Sequence, residues 1–222
     1  MLARLDEAFT AQKQFSANAA HELRTPLAVI QTNLEVFARR ETPALKDYQE
    51  IFSMLQEQTG RLSHLAEILL DMTGVQTVER SERISLAALT DEVFCDLASV
   101  AEQKDVELIQ QEGDCIITGS YLLLYRAVYN LVENAIKYNH SGGKVTVNIH
   151  PSEEITDTST SVNYVFLEVS DTGIGIPPEY QEKIFTPFFR VDKSRSRAMG
   201  GAGLGLALVS EIVRQHNGQV KV

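Results

Sequence analysis

Cysteine is scarce in this chain: Cys95 and Cys115 are the only two among 222 residues. Their spacing matches no metal motif. They read as two reduced thiols in or near a core, which excludes a disulfide-stapled scaffold and a zinc module. Positive charge is also in the minority. Lys and Arg number 20 against 30 Asp and Glu, for a net charge of -10, which argues against a nucleic-acid surface. No apolar run approaches the roughly 18 residues needed to cross a bilayer. The opening residues, Met1 to Glu7, are polar and helical in character and do not read as a signal peptide. What remains is a chain with 44% hydrophobic residues, enough for real cores, and a length that permits one large domain or two small ones.

Residues 2 to 39 read as one long helix. Leu23, Ile30 and Phe37 recur every seventh position, as do Leu27 and Leu34. A break follows at Arg40 to Pro43, with Thr42 as a candidate N-cap and Pro43 as the first residue of a second helix. That helix runs to about Thr73, where Gly74 can end it. Its seams are Leu55, Leu62 and Leu69, with Ile51, Leu65 and Met72 one lane over. So short a turn makes the two helices antiparallel, and their wide apolar stripes call for a homodimer that closes a four-helix bundle.

The pattern changes after Gly74. Strands are expected at Ile84 to Leu86, Val106 to Ile109, Cys115 to Thr118, Lys144 to Ile149, Tyr164 to Val169 and Gln219 to Val222. Helices are expected at 87 to 103, at Tyr121 to Lys137 with Ser120 as cap, and at Leu204 to His216. Pro151 to Asn163 reads as a mobile hairpin loop without chemistry. The mixture points to an α+β sandwich.

Five segments carry chemistry. In Phe15-Ser-Ala-Asn-Ala-Ala-His21-Glu22-Leu23-Arg24-Thr25-Pro26-Leu27, one imidazole is flanked by a carboxylate and followed four residues on by a hydroxyl, then a proline. Asn130 and Asn134 share one helix face, and a carboxamide oxygen is a suitable hard ligand for Mg²⁺. Lys137, near them, can reach phosphate oxygens, and Tyr138 offers a ring near a base. Asp171-Thr-Gly173-Ile-Gly175 follows a strand; the carboxylate can accept from the exocyclic amine of adenine, and the glycines let backbone approach a nucleotide. Ile184-Phe185-Thr-Pro187-Phe188-Phe189-Arg190 is an aromatic cluster, trailed by Lys193, Arg195 and Arg197. Gly200-Gly201-Ala-Gly203-Leu204-Gly205 opens a helix, whose free N–H groups suit phosphate. A Rossmann turn is excluded, because Pro178 stands where the third glycine belongs. No Walker lysine motif and no protein-serine kinase signature occurs.

The His21 run resembles the phosphoacceptor box of sensor histidine kinases, and the four later segments resemble that family's ATP-binding boxes in the family's order. The resemblance covers nearly the whole chain. It implies an all-α helical hairpin, residues 1–75, forming a dimeric four-helix bundle. An α+β sandwich ATP-binding domain of the histidine kinase/gyrase type follows at 76–222. It implies autophosphorylation of His21 from ATP, with Glu22 fixing the imidazole tautomer. Mg²⁺ would be held by Asn134 and Asn130. The nucleotide would be bound by Lys137, Tyr138, Asp171, Gly173, Gly175, Phe185, Arg190, Gly201, Gly203, Leu204 and Gly205, the Phe185 segment anchoring a lid. The phosphoryl group would pass to an aspartate on a response regulator receiver domain, with no nucleic-acid partner. Thr25 would help to place water for dephosphorylating that partner, and Pro26 would bend the helix beside the nucleophile. The fragment would make no membrane contact, as the cytoplasmic portion of a membrane-anchored sensor. Family members usually continue past Val222 into another strand, so a C-terminal truncation is expected. His64, His140, His150 and His216 show no catalytic pattern.

Two competing readings remain in play. Gyrase and mismatch-repair ATPases share the nucleotide fold but carry a water-activating Glu where this chain has Asn130, and an amide cannot act as a general base. A dimeric docking scaffold with a degenerate nucleotide site is the second, against which the intact boxes stand.

Overall fold

The computed structural model describes residues 2–75, 78–152, 164–191 and 201–222. It divides into two compact units: Met1–Thr73 with Pro187–Leu204, and Gly74–Thr186 with Gly205–Val222.

The first unit is built on α1 (Leu2–Ala38) and α2 (Leu45–Gly74). α1 runs uninterrupted through Pro26, which is buried. Leu23, Ile30 and Phe37 are half-buried, Leu65 and Ile68 of α2 are buried, and the Phe37 ring meets that of Tyr48 at 5.1 Å. Leu27, Leu34, Phe52 and Leu70 stay exposed on the single chain. α2 starts later than the Thr42-Pro43 signal suggested. The Asp47 carboxylate accepts the Ala44 N–H at 2.8 Å and pairs with Arg40. A carboxylate three residues into the helix that ties back to the preceding N–H is half of a capping box, and it sets the start at Leu45.

The second unit contains β1 (Glu82–Ser85), α3 (Leu86–Lys104), β2 (Val106–Gln110), β3 (Ile116–Gly119), α4 (Tyr121–Lys137), β4 (Gly143–Pro151), β5 (Val165–Asp171), a 3-10 turn (Pro178–Tyr180) and α5 (Gly205–Gln215). β1 and β3 form an antiparallel ribbon; β2, β4 and β5 form a sheet in which β4 is parallel to β2 and antiparallel to β5. α3 and α4 pack on this sheet, and α5 packs on α4. The core follows from period. Leu89, Val93 and Leu97 line one face of α3, Val128, Val132 and Ile136 one face of α4, and Val145, Val147 and Ile149 one face of β4. Each such side chain contributes about 1.5–3 kcal/mol on burial. This is the expected α+β sandwich, which follows the helical hairpin in the chain.

Ser120 caps α4 as the sequence predicts, its side chain accepting from Leu123 N–H. Two expectations differ. Cys95 is exposed, and only Cys115 packs against the core. Residues 219–222 form no strand, since no ladder partner stands beside them among the described residues. The loop expectation at 153–163 lies outside the described residues.

Candidate nucleotide site and phosphoacceptor helix

On α1 the His21 side chain is exposed, so its ring nitrogens are open to a reactant. The Thr25 hydroxyl is exposed as well and donates to the His21 carbonyl at 3.2 Å. Glu22 is half-buried and, among the described residues, makes no hydrogen bond to His21. Adjacent helical positions splay about 100° apart, so contact between the two requires their side chains to reach around the helix.

The nucleotide segments of the second unit meet around α4. Asn130 is 7% exposed. Its Nδ2 donates to the Arg126 carbonyl at 2.8 Å, which commits one side of the carboxamide. Its Oδ1 faces Gly205, the first residue of α5. A Cβ there would lie 2.5 Å from Asn130 Oδ1 and 3.7 Å from Asn134 Nδ2. Two residues one helical turn apart on α4 thus converge on a glycine 71 positions or more along the chain, at the N-terminus of a helix, where the first N–H groups have no partner within the helix. A carboxamide oxygen beside such a terminus suits a hard cation, and the Asn134 N–H groups and the terminus itself suit a phosphate. Among the described residues no cluster of three or more His, Cys, Asp or Glu forms a protein cage for a metal. A cation here would be held by carboxamides and phosphate oxygens.

At the far end of α4, the loop after β5 docks by backbone. Ile174 N–H donates to the Tyr138 carbonyl at 3.2 Å. Gly173 sits so close that a Cβ would stand 2.5 Å from that same carbonyl oxygen. Asp171 Oδ1 accepts the Gly173 N–H at 2.8 Å, folding the loop, and the residue is exposed. Gly175 has φ 68°, a left-handed conformation that glycine adopts without strain. Tyr138 therefore acts structurally through its main chain. Lys137 is half-buried, and its carbonyl accepts from Lys104 Nζ at 3.4 Å.

Sequence reasoning missed the bolt that fixes this loop. Thr172 Oγ1 accepts the Lys144 N–H at 2.9 Å and donates to Asn139 Oδ1 at 3.1 Å. Asn139 Nδ2 donates to the Lys144 carbonyl at 3.0 Å. The three residues join the end of α4, the start of β4 and the residue next to Asp171. Asn139 directly follows Tyr138, but its partners lie 5 and 33 residues further along the chain.

Phe185 is half-buried. In the first unit, Phe188 N–H donates to the Gly203 carbonyl at 2.8 Å, and Phe188 itself has φ 65°. Its ring lies 5.4 Å from that of Phe15. Gly203 has φ 72°, and a Cβ there would meet the Phe189 carbonyl at 2.6 Å. The aromatic segment and the last glycine box are therefore one folded feature, with Arg190 and Gly201 half-buried and Leu204 fully buried. Lys193, Arg195, Arg197 and Gly200 lie outside the described residues. No helix among the described residues is long and apolar enough to cross a membrane.

Residues 11–77 match the His Kinase A (phospho-acceptor) domain, and residues 119–222 match the histidine kinase-, DNA gyrase B-, and HSP90-like ATPase family. Sensor histidine kinase RppB of Synechocystis sp. is 35% identical over 222 residues, covering 97% of this chain and 47% of the relative. Sensor histidine kinase CusS of Escherichia coli K12 is 32% identical, covering 100% of this chain and 45% of the relative. The chain thus spans less than half the length of these curated relatives. Histidine kinase ThkA, solved in complex with response regulator protein TrrA, shares the fold with a TM-score of 0.70 at 22% identity, over 96% of this chain and 57% of that one. Acinetobacter baumannii histidine kinase AdeS does so with a TM-score of 0.63 at 23% identity, over 88% and 86%. With a phospho-acceptor hairpin bearing an exposed histidine, an ATPase-type sandwich after it and these relatives, the chain belongs to the sensor histidine kinases of two-component systems.

Proposed function

We propose that residues 1–75 form a dimerisation and phosphotransfer domain, and residues 76–222 a catalytic domain that binds ATP and phosphorylates His21. The ATPase-family match implies ATP binding. The observation that carries the reading is the convergence of Asn130 and Asn134 on Gly205, combined with an exposed His21 on α1.

In the reaction, one ring nitrogen of neutral His21 attacks the γ-phosphorus. A P–N bond forms, the bond to the bridging oxygen breaks, and ADP departs with that electron pair. The other ring nitrogen keeps its proton, and Glu22 supports the positive charge that builds on the ring. Asn130 and Asn134 would hold Mg²⁺, whose charge would offset that of the phosphates. Lys137 adds positive charge, Asp171 selects adenine, and the Gly201 to Gly205 backbone lies along the phosphates. Phe185 and Arg190 anchor the segment that covers the nucleotide.

Exposed Leu27, Leu34, Phe52 and Leu70 on the hairpin support homodimerisation into a four-helix bundle, because such a stripe on one chain asks for a second. The phosphoryl group then moves to an aspartate of a response regulator receiver domain, and Thr25 serves the reverse hydrolysis on that partner. The full-length protein is membrane-anchored, with this portion in the cytoplasm.

Incubation with Mg²⁺ and γ-labelled ATP tests the proposal. Acid-labile, base-stable label on the protein is expected. Steady phosphate release with no label on protein would favour the ATPase reading, and failure to bind ATP analogues would favour the scaffold.

A further inference from the structure

We propose that His216 is a positioning residue for the nucleotide site, a bolt that holds α5 against α4 in its neutral form and lets go when protonated. This rests on the reading of the Asn130, Asn134 and Gly205 cluster as the place where ATP binds.

The ring of His216 is half-buried and makes two contacts of opposite kind. Nδ1 lies 2.8 Å from the Ile212 carbonyl, which can only accept, so Nδ1 carries the proton. Nε2 lies 3.1 Å from the backbone nitrogen of Ser120, which can only donate, so Nε2 is the acceptor. Only the neutral Nδ1–H tautomer satisfies both. The room for the ring is made by Gly119, where a Cβ would stand 2.8 Å from His216 Cδ2 and Nε2. Ser120 is 1% exposed, so water does not replace the ring as a partner for its N–H.

The placement gives the contact its consequence. Ser120 is the N-cap of α4, and His216 immediately follows α5. The two helices are pinned at both ends: Asn130 on Gly205 at one, His216 on Ser120 at the other. Ten residues of α4 separate its two pins, about 15 Å. With both in place, α5 cannot slide along α4, and its N-terminus stays in register with the two asparagines. A cationic imidazole has no acceptor, so Ser120 N–H would face a second N–H and the far pin would open. The charged groups on the surrounding elements do not supply a substitute. Glu82 of β1 accepts the Tyr121 N–H, and Glu211 and Arg214 of α5 pair with one another. Loss of one buried hydrogen bond corresponds to about a five- to tenfold change in an equilibrium constant.

The test is equilibrium binding of a fluorescent Mg·ADP analogue to wild type, His216→Gln and His216→Ala at about pH 8 and about pH 5.5, with thermal melting run alongside. Gln offers an amide oxygen that accepts at either pH. Relative to wild type, His216→Gln is expected to bind similarly at the higher pH and more tightly at the lower, giving a flatter profile. His216→Ala is expected to bind about five- to tenfold more weakly than wild type at the higher pH. A His216→Gln profile that parallels wild type, or a folded His216→Ala with wild-type affinity, would overturn the inference. If His216→Ala does not fold, the Gln profile alone decides. No binding by wild type at either pH would sink the ATP-site reading and this inference with it.

Discussion

Adding a single methyl group at two glycines separates stability from function. Gly60 lies inside α2, where an added Cβ would have nothing within 4 Å, whereas at Gly205 that atom would stand 2.5 Å from Asn130 Oδ1. Ordinary carbon–oxygen contacts lie at about 3.3–3.6 Å, so something at Gly205 must move by nearly an ångström. Asn130 cannot retreat freely, since its Nδ2 is bonded to the Arg126 carbonyl and the residue is buried. Breaking that bond inside the protein costs about 1–3 kcal/mol. Helix propensity gives back at most about 1 kcal/mol, less at a helix's first residue. Gly205→Ala should therefore lose about 1–2 kcal/mol in urea unfolding, while Gly60→Ala gains about 1 kcal/mol. The functional gap is wider. A reacting group misplaced by about 1 Å can lower rate on the order of a hundredfold, so labelling by γ-labelled ATP should fall by about tenfold or more in Gly205→Ala and stay unchanged in Gly60→Ala. Wild-type labelling by Gly205→Ala would refute the role assigned to the Asn130 and Gly205 contact.

Asp114 accepts from Ala87 N–H at 3.0 Å and from the Ser85 hydroxyl at 2.9 Å, capping α3 from outside. Asp114→Ala should destabilise the fold by about 1 kcal/mol in urea titration. The bond from Ala87 N–H, foremost, holds this carboxyl below its usual range; its stabilisation is therefore present above the ordinary carboxyl range and should fade as pH falls through the depressed folded value. Tyr121 donates to Glu92, and that bond chiefly pushes its hydroxyl up to about 12; Tyr125, raised mainly by burial, donates to Asp96. The folded state holds these protons more tightly than an unfolded tyrosine at about 10. Stability should be level below that pH and decline as it rises toward about 12, less steeply in Tyr121→Phe, as followed by urea midpoints. Thr25→Ala should abolish dephosphorylation of the partner regulator with autophosphorylation retained; loss of neither would remove Thr25 from that role.

Local signals carried well from sequence to structure. Ser120 capping α4 and the period-two burial of Val145, Val147 and Ile149 both depend on neighbours a few residues away. Asn130 and Asn134 were legible as a shared helix face for the same reason. What was not legible depends on distant partners. Nothing near Asn130 announces Gly205, nothing near Thr172 announces Asn139 and Lys144, and His216 looks ordinary until Ser120 is placed beside it. The late start of α2 has a related cause: Thr42-Pro43 is a good local signal, but Asp47 tied to Ala44 and Arg40 outweighs it.

The most direct measurement is residue-level mapping of the phosphoryl group after a brief reaction with Mg²⁺ and ATP, by mass spectrometry at neutral to alkaline pH where a P–N bond survives. Phosphate is expected on His21 alone, and none on the His21→Ala chain. Phosphate on another residue, or undiminished phosphorylation of His21→Ala, would contradict the account.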